Sequence, residues 1–505
     1  MNRLLNGMKN ETNYTYTENG ALTHKSTMSG LLDLFGMGAA YRTRSDSDCI
    51  LLFKKAYEEN PIYALKCLFY LRDVRGGQGE RRFFRVVTRW LADNQTDAMR
   101  RNLEFVPEFG RWDDLYEFIG TKLEEDVFEL MRKQLMLDVQ CKAPSLLAKW
   151  LKSENTSSSK SRELANKTRM AFHMNHKQYR QTLSTLRERI KVLERLMSEN
   201  RWDEIEFDKI PSKAGLVYRN AFARRDIIKA KYEHFMKDEK TTVNAGTLYP
   251  YEVVAKAYNL TRSNYSYSYS RYSGYDFEDN FDSTERAAIN KYWDNLKDYF
   301  NGCSLDALCM IDTSGSMWGT EASAPINVAI SIGLYAAERA RGPFAGHYIS
   351  FSRKPQLIET DGVDFVDKVR RIYSTNLCEN TNIEAAFDMV LNTAIKNRCK
   401  QSDLPKTIIV VSDMEFDGQR GYYGHSNKTL MENIAIKWEN AGYQMPNLVY
   451  WNVQARQNNI PMTVKDGISY VSGFSPVLFE QIMKGKTAFD LMMDKLDSER
   501  YACIK

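Results

Sequence analysis

The sequence predicts a multidomain chain: an N-terminal all-α solenoid of HEAT-like repeats, then a C-terminal doubly wound α/β domain. Three observations predict it. From Leu31 to about Met236, apolar residues recur at steps of three and four, the period of helices buried on one face. From about Glu285 the period changes, and short apolar strands alternate with helices, the pattern of a mostly parallel sheet. Two of those strands, Ala307–Ile311 and Thr407–Val411, run into an acid within two residues. Four regions follow: an arm at 1–30, the helical part at 31–260, a linker at 261–284 and the α/β part at 285–505.

The bulk composition excludes several classes. The 505 residues are enough for two to four domains, and 43% hydrophobic residues with 12% aromatics can build packed cores. No run of about 18 apolar residues occurs, so no membrane span is expected. The first ten residues lack the apolar stretch of a signal peptide. The eight cysteines are scattered, with no C-x-x-C pair, so neither a zinc site nor a disulfide framework is expected, and a reducing cytoplasm is. The net charge is only +5, but residues 142–237 hold 22 Lys and Arg against 11 Asp and Glu. A basic segment points to a polyanion, with nucleic acid first; solvated helix faces would give the same count.

Residues 1–30 are polar and rich in Asn, Thr and Tyr, and read as a loose arm. Asn60-Pro61 is an N-cap with proline at the first helical position, followed by Ile62, Leu65, Leu68, Phe69 and Arg72 on one face. Residues 73–79, with three glycines, break that helix; Phe83, Val87, Trp90 and Leu91 mark the next. A break at 107–111 precedes Trp112, Leu115, Phe118 and Ile119. Tyr179, Leu183, Leu186, Ile190, Leu193 and Met197 predict one amphipathic helix of nineteen residues, with Arg180, Arg187, Lys191 and Arg195 on its other faces. Helix pairs with short breaks and no strands suggest the solenoid, which could close into a ring. Residues 261–284 are Tyr/Ser-rich and cannot build a core. They read as a flexible insertion whose tyrosines could also stack on bases.

In the α/β part, helices are expected at Ala287–Phe300, Pro325–Arg341, Val363–Tyr373, Ile383–Arg398, Leu430–Ala441 and Pro476–Met483. Strands are expected at His347–Phe351, Leu448–Val453 and Ile468–Val471 besides the two that meet acids. Asp312, Ser314 and Ser316 stand at i, i+2 and i+4 after the first such strand. Hard cations such as Mg²⁺ take oxygen ligands, and open α/β sheets bind ligands at the strands' C-terminal ends. A capped turn before the next helix would use the same residues. Asp413 follows the strand Thr407–Val411 and therefore falls on the same sheet edge, and Thr381 precedes the helix at Ile383.

Asp312-x-Ser314-x-Ser316, then Thr381 and Asp413, resembles the metal-ion-dependent adhesion site of von Willebrand factor A domains. Glu379-Asn380 stands where that family often has Gly-Gly. The resemblance implies a divalent cation, Mg²⁺ first with Mn²⁺ or Ca²⁺ as alternatives, held by Asp312, Ser314, Ser316, Thr381 and Asp413. It also implies an acidic protein ligand completing the shell, with a nuclease as one candidate. Residues 34–46, 71–82 (Leu-Arg-Asp-Val-Arg-Gly-Gly-Gln-Gly-Glu-Arg-Arg) and 109–115 (Phe-Gly-Arg-Trp-Asp-Asp-Leu) are similar to the TROVE module of Ro ribonucleoproteins. The whole resembles a divergent branch of that family. This implies a monomeric RNA-binding ribonucleoprotein component, taking small structured or single-stranded RNA for scaffolding or quality control. Charge and helix face then nominate Lys149, Lys152, Arg180, Arg187, Lys191, Arg195 and Arg219 for RNA. Arg72, Arg75, Arg81 and Arg82 could equally pair with Asp73 and Glu80. No placed nucleophile or general base is evident, so no enzyme is expected. The alternative is an interaction or structural scaffold, for example a viral component, without RNA.

Overall fold

The computed structural model describes residues 13–262, 282–300, 306–351, 354–374, 381–418, 429–461, 469–482 and 487–505. Most of the Tyr/Ser segment, and Glu379-Asn380, lie outside the described residues. The chain folds as a helix-rich N-terminal region followed by a mixed, mostly parallel sheet with helices on both faces.

The sheet contains β3 (Ala307–Asp312), β4 (His347–Phe351), β5 (Gln356–Glu359), β6 (Thr407–Ser412), β7 (Asn447–Asn452) and β8 (Ser469–Ser472). Their order is β5-β4-β3-β6-β7-β8. All neighbours are parallel except β5, which runs antiparallel to β4. Strand order reverses between β3 and β6, so that pair flanks the topological switch point. Sequence periodicity missed β5 because it is an exposed edge strand of four residues with no buried apolar face.

Side chains alternate across a strand, and here the alternation sorts two cores. Leu308, Met310, Ile408, Val410 and Tyr450 join one apolar core with helices from residues 31–186 and with Ile383, Phe387, Ile434 and Trp438. Cys309, Ile311, Ile409, Val411 and Trp451 join the other, with residues 193–300 and the helix Pro325–Arg339. The sheet is therefore a wall shared by both parts of the helical region. The expected boundary near residue 260 does not separate two bodies: the helix Pro250–Arg262 packs on Pro325–Arg339 and Phe365–Ser374. Tyr249 Oη also donates to Gln78 O at 3.2 Å, bringing the late helices against the early ones across 171 positions.

Both chain ends differ from expectation. Residues 13–30 are not a loose arm. β1 (Tyr14–Tyr16) and β2 (Leu22–His24) form a hairpin, Ser29 caps the helix Gly30–Met37, and that helix packs on β8. The C-terminal residues add the helix Ala488–Leu496 and return to the helical region. There Tyr501 stacks on Phe109 with ring centroids 5.5 Å apart, and Lys505 N donates to Asn102 Oδ1 at 2.8 Å.

The predicted nineteen-residue helix is two, His176–Arg189 and Leu193–Ser198. Lys191 sits between them at φ 48°. Lys191 N donates to Glu188 O at 3.0 Å and Val192 N to Arg187 O at 3.3 Å, the paired bonds of a Schellman stop. Apolar spacing continues through the stop because both short helices pack inward.

The resembling phrases in the N-terminal region turn out to be tied to each other by packing. Arg72 Nε and Nη2 donate to Asp114 Oδ2 at 2.8 and 2.6 Å. Arg85 Nε donates to Asp114 Oδ1 at 2.7 Å. A Cβ on Gly110 would collide with Asp114 Oδ2. Asp73 accepts from Arg75 N at 2.9 Å, Arg500 Nη2 at 2.7 Å and Tyr501 Oη at 2.9 Å, clasping the C-terminal turn. Arg75 and Arg82 likewise serve structure, on Glu108 O and Asp46.

Arg72 and Asp114 are both fully buried, with side-chain exposures of 2% and 0%. Arg72→Leu is expected to lower the unfolding free energy by about 3 kcal/mol, because it strands part of a buried charge. Urea titration checks this, and the double change Arg72→Leu/Asp114→Leu should cost less than the sum of the single changes.

Candidate functional site

The site stands at the switch point. β3 carries Asp312 as its last residue, level with Phe351 of β4 on one side. On the other side Ile311 pairs with Val411 of β6, so Ser412 follows at the level of Asp312 and Asp413 comes next. The sequence-nominated residues Asp312, Ser314, Thr381 and Asp413 are all buried, at 0–2% exposure; Ser316 is half-buried. Ser314 N donates to Asp312 Oδ1 at 2.9 Å, closing the turn. The hydroxyls of Ser314 and Ser316 lie 3.0 Å apart. Thr381 is fixed through its carbonyl, which accepts from Asp417 N at 3.0 Å.

Five residues that sequence reasoning did not nominate complete the surroundings. Ser412 Oγ donates to Asp312 Oδ2 at 2.5 Å. Arg456 Nη2 donates to Asp413 Oδ2 at 2.7 Å, and its Nη1 to Glu18 Oε2 at 2.8 Å. Glu415 accepts from Glu18 N at 2.7 Å and from Asn459 Nδ2 at 2.8 Å. Ser412 could have been nominated as the hydroxyl before Asp413. Glu18 and Arg456 had no sequence signal, being 438 positions apart.

Burial pushes the Asp312 carboxyl up from its ordinary value, and the neighbouring Asp413 charge pushes it further, against the bonds from Ser412 and Ser314. Burial raises Glu415 to about 7, helped by Asp413 and Glu18 and opposed by the Glu18 amide and Arg456. Asp413, Glu18 and Glu415 thus share one guanidinium, that of Arg456. The donor set of two buried acids and three hydroxyls suits a hard divalent cation, and a cation there would relieve the repulsion that the arginine relieves only in part.

The seven residues nominated for RNA do not form one free face. Arg187 is turned inward, donating to Ala148 O, Leu151 O and Ser153 Oγ at 2.8–2.9 Å. Arg195 pairs with Glu199 at 2.6 Å and donates to Ser184 O. Arg219 is buried on Glu285 at 2.7 Å. These three correct the charge-and-face expectation, which counted cations without their partners. Arg180 and Lys191 are exposed. Lys149 and Lys152 lie half-buried over the rings of Trp150 and Tyr116, at 5.8 and 5.2 Å.

Fold and site together define a helical array built on both faces of a doubly wound sheet, with an acid-and-hydroxyl cluster at its switch point. Residues 17–145 and 136–301 match the family described as Domain of unknown function (DUF2828), and the chain belongs to that family. Residues 306–502 match a second description, Domain of unknown function (DUF7788). The chain is similar to Uncharacterized protein L728 of Acanthamoeba polyphaga mimivirus, 28% identical over 520 residues, covering 94% of this chain and 85% of that protein. The crystal structure of the Deinococcus radiodurans RO (RSR) protein aligns over 93% of this chain and 99% of its own, at 13% identity and a TM-score of 0.48. Among the described residues, no helix is long and apolar enough to cross a membrane.

Removing the guanidinium should expose the site's charge imbalance. Arg456→Met is expected to lower stability in chelator by about 2 kcal/mol, since Asp413 is buried and loses the cation paired with it. Urea unfolding in EDTA measures this; an unchanged midpoint would contradict the charge assignment.

Proposed function

We propose that the protein is a ribonucleoprotein component in which the sheet edge docks an acidic partner through a divalent cation and the helical region binds RNA. The observation that carries the docking half is the pair Asp312 and Asp413, two acids buried side by side with Ser314, Ser316 and Thr381 in the neighbouring turns. Mg²⁺ would be held by those five residues and would supply an open position for a carboxylate or phosphate oxygen. The chain's own residues do the rest. Ser412 orients Asp312, Arg456 orients Asp413, and the sheet fixes both on one edge.

The RNA half is supported by the resemblance of residues 71–82 and 109–115 and by the cations that stay exposed. Lys177 and Arg180 stand three apart on one helix, and Lys191 follows at the stop. Such cations neutralise phosphates, and structured RNA is read mainly through shape and backbone. The inward-turned Arg187 and Arg219, and the surface pairing of Arg195 with Glu199, favour the second reading, an interaction scaffold with no RNA role.

Ten millimolar Mg²⁺ is expected to raise the thermal midpoint of the protein, by the mass-action stabilisation of about 2.7 kcal/mol reached near a hundredfold excess over Kd. Asp312→Asn and Asp413→Asn should abolish the rise. Crosslinking and sequencing of co-purified RNA tests the second half. Lys177→Glu/Arg180→Glu/Lys191→Glu should remove the RNA, whereas a co-purifying protein with no RNA would favour the scaffold.

A further inference from the structure

The N-terminal hairpin lies across the loop that follows Asp413. Thr17 Oγ1 donates to Phe416 O at 2.7 Å, and Asn19 Nδ2 to Glu415 O at 2.6 Å. Gly418 N donates to Asn19 O at 2.9 Å. The approach is close enough that a Cβ on Gly418 would meet Gly20 O at 2.5 Å. Beyond the turn, Thr23 Oγ1 donates to Ile460 O at 2.8 Å, and His24 and Ile460 exchange backbone bonds at 3.1 and 2.9 Å. The hairpin is thus seated from both sides on the segments that carry Glu415 and Arg456.

This seating brings the Glu18 carboxylate onto Arg456. The guanidinium bridges two acids: Nη2 on Asp413 and Nη1 on Glu18, at 2.7 and 2.8 Å. The two acids differ in kind. Asp413 is fully buried at the sheet edge, whereas Glu18 is 37% exposed on a strap that reaches the site only through loop contacts. A guanidinium presents a rigid fork of donors suited to carboxylates. With Nη2 committed to Asp413, the Nη1 edge is the part available to a second acid, and a water-screened pair at 30% and 37% exposure is readily exchanged.

We propose that Arg456 is the selectivity-determining residue of the docking site, and that Glu18 fills its outer edge as an internal stand-in for an acidic segment of the partner. A carboxylate of the partner takes Arg456 Nη1 while the cation takes a second oxygen, and the hairpin acid is displaced. The inference rests on the docking-site reading given above. It adds which residue reads the acid and what holds the place when no partner is bound.

The test uses the full chain, saturating Mn²⁺ as the probe cation and acetate labelled with ¹³C at the carboxyl as the probe acid. Mn²⁺ binding is read by electron paramagnetic resonance, and acetate proximity by paramagnetic relaxation of its ¹³C signal. An intramolecular acid competes at high effective concentration, so Glu18→Gln should raise the Mn²⁺-dependent relaxation of acetate about fivefold over wild type. Glu18→Ala should do the same. Glu18→Gln/Arg456→Lys keeps the positive charge but loses the fork, and should return the relaxation to the wild-type level. Equal relaxation in wild type, Glu18→Gln and Glu18→Ala, with Mn²⁺ bound to each, would overturn this inference and leave the docking site standing. Undiminished relaxation in the double variant would overturn the role of Arg456. No Mn²⁺ bound to any folded form would overturn the docking site and this inference together.

Discussion

Two acids carried out of water side by side need positive charge, and the architecture around Asp312 and Asp413 follows from that need. Placing one ion in a low-dielectric interior costs several kcal/mol unless it is paired. Here the strand register puts both acids on one edge, and burial with mutual repulsion pushes Asp312 up from its ordinary value. Arg456 answers one of them. Ser412, Ser314 and the turn amides supply hydrogen bonds to the other but no charge. A site left in that state is one that a divalent cation would complete.

The rest of the molecule holds that edge still. Odd and even residues of the same strands belong to different cores, so helices from opposite ends of the helical region grip the sheet from both faces. The C-terminal turn is clasped by Asp73, and the N-terminal hairpin is laid over the loop after β6. Chain segments remote in sequence therefore meet near the site.

The α/β half was largely legible because parallel strands buried on both faces are continuous apolar runs, and Asp312 and Asp413 interrupt two of them. Asp312 and Asp413 needed only strand order to fall on one edge. What was not legible depends on contacts between distant positions. The hairpin's polar sequence reads as an arm because its stability comes from Glu415, Phe416 and Ile460 rather than from an apolar face of its own. The continuous spacing from Tyr179 to Met197 hides a helix stop, since apolar residues face inward on both sides of Lys191. Counting Arg187 and Arg219 as surface cations failed for a similar reason: charge is visible in sequence, but its partners, here backbone carbonyls and Glu285, are not.

Anomalous diffraction from crystals of the full chain soaked in Mn²⁺ tests the cation site most directly. A single strong peak among the oxygens of Asp312, Ser314, Ser316, Thr381 and Asp413, lost in Asp312→Asn, is the predicted result. A well-ordered site with no peak at saturating Mn²⁺, and Arg456 alone facing the two acids, would contradict it.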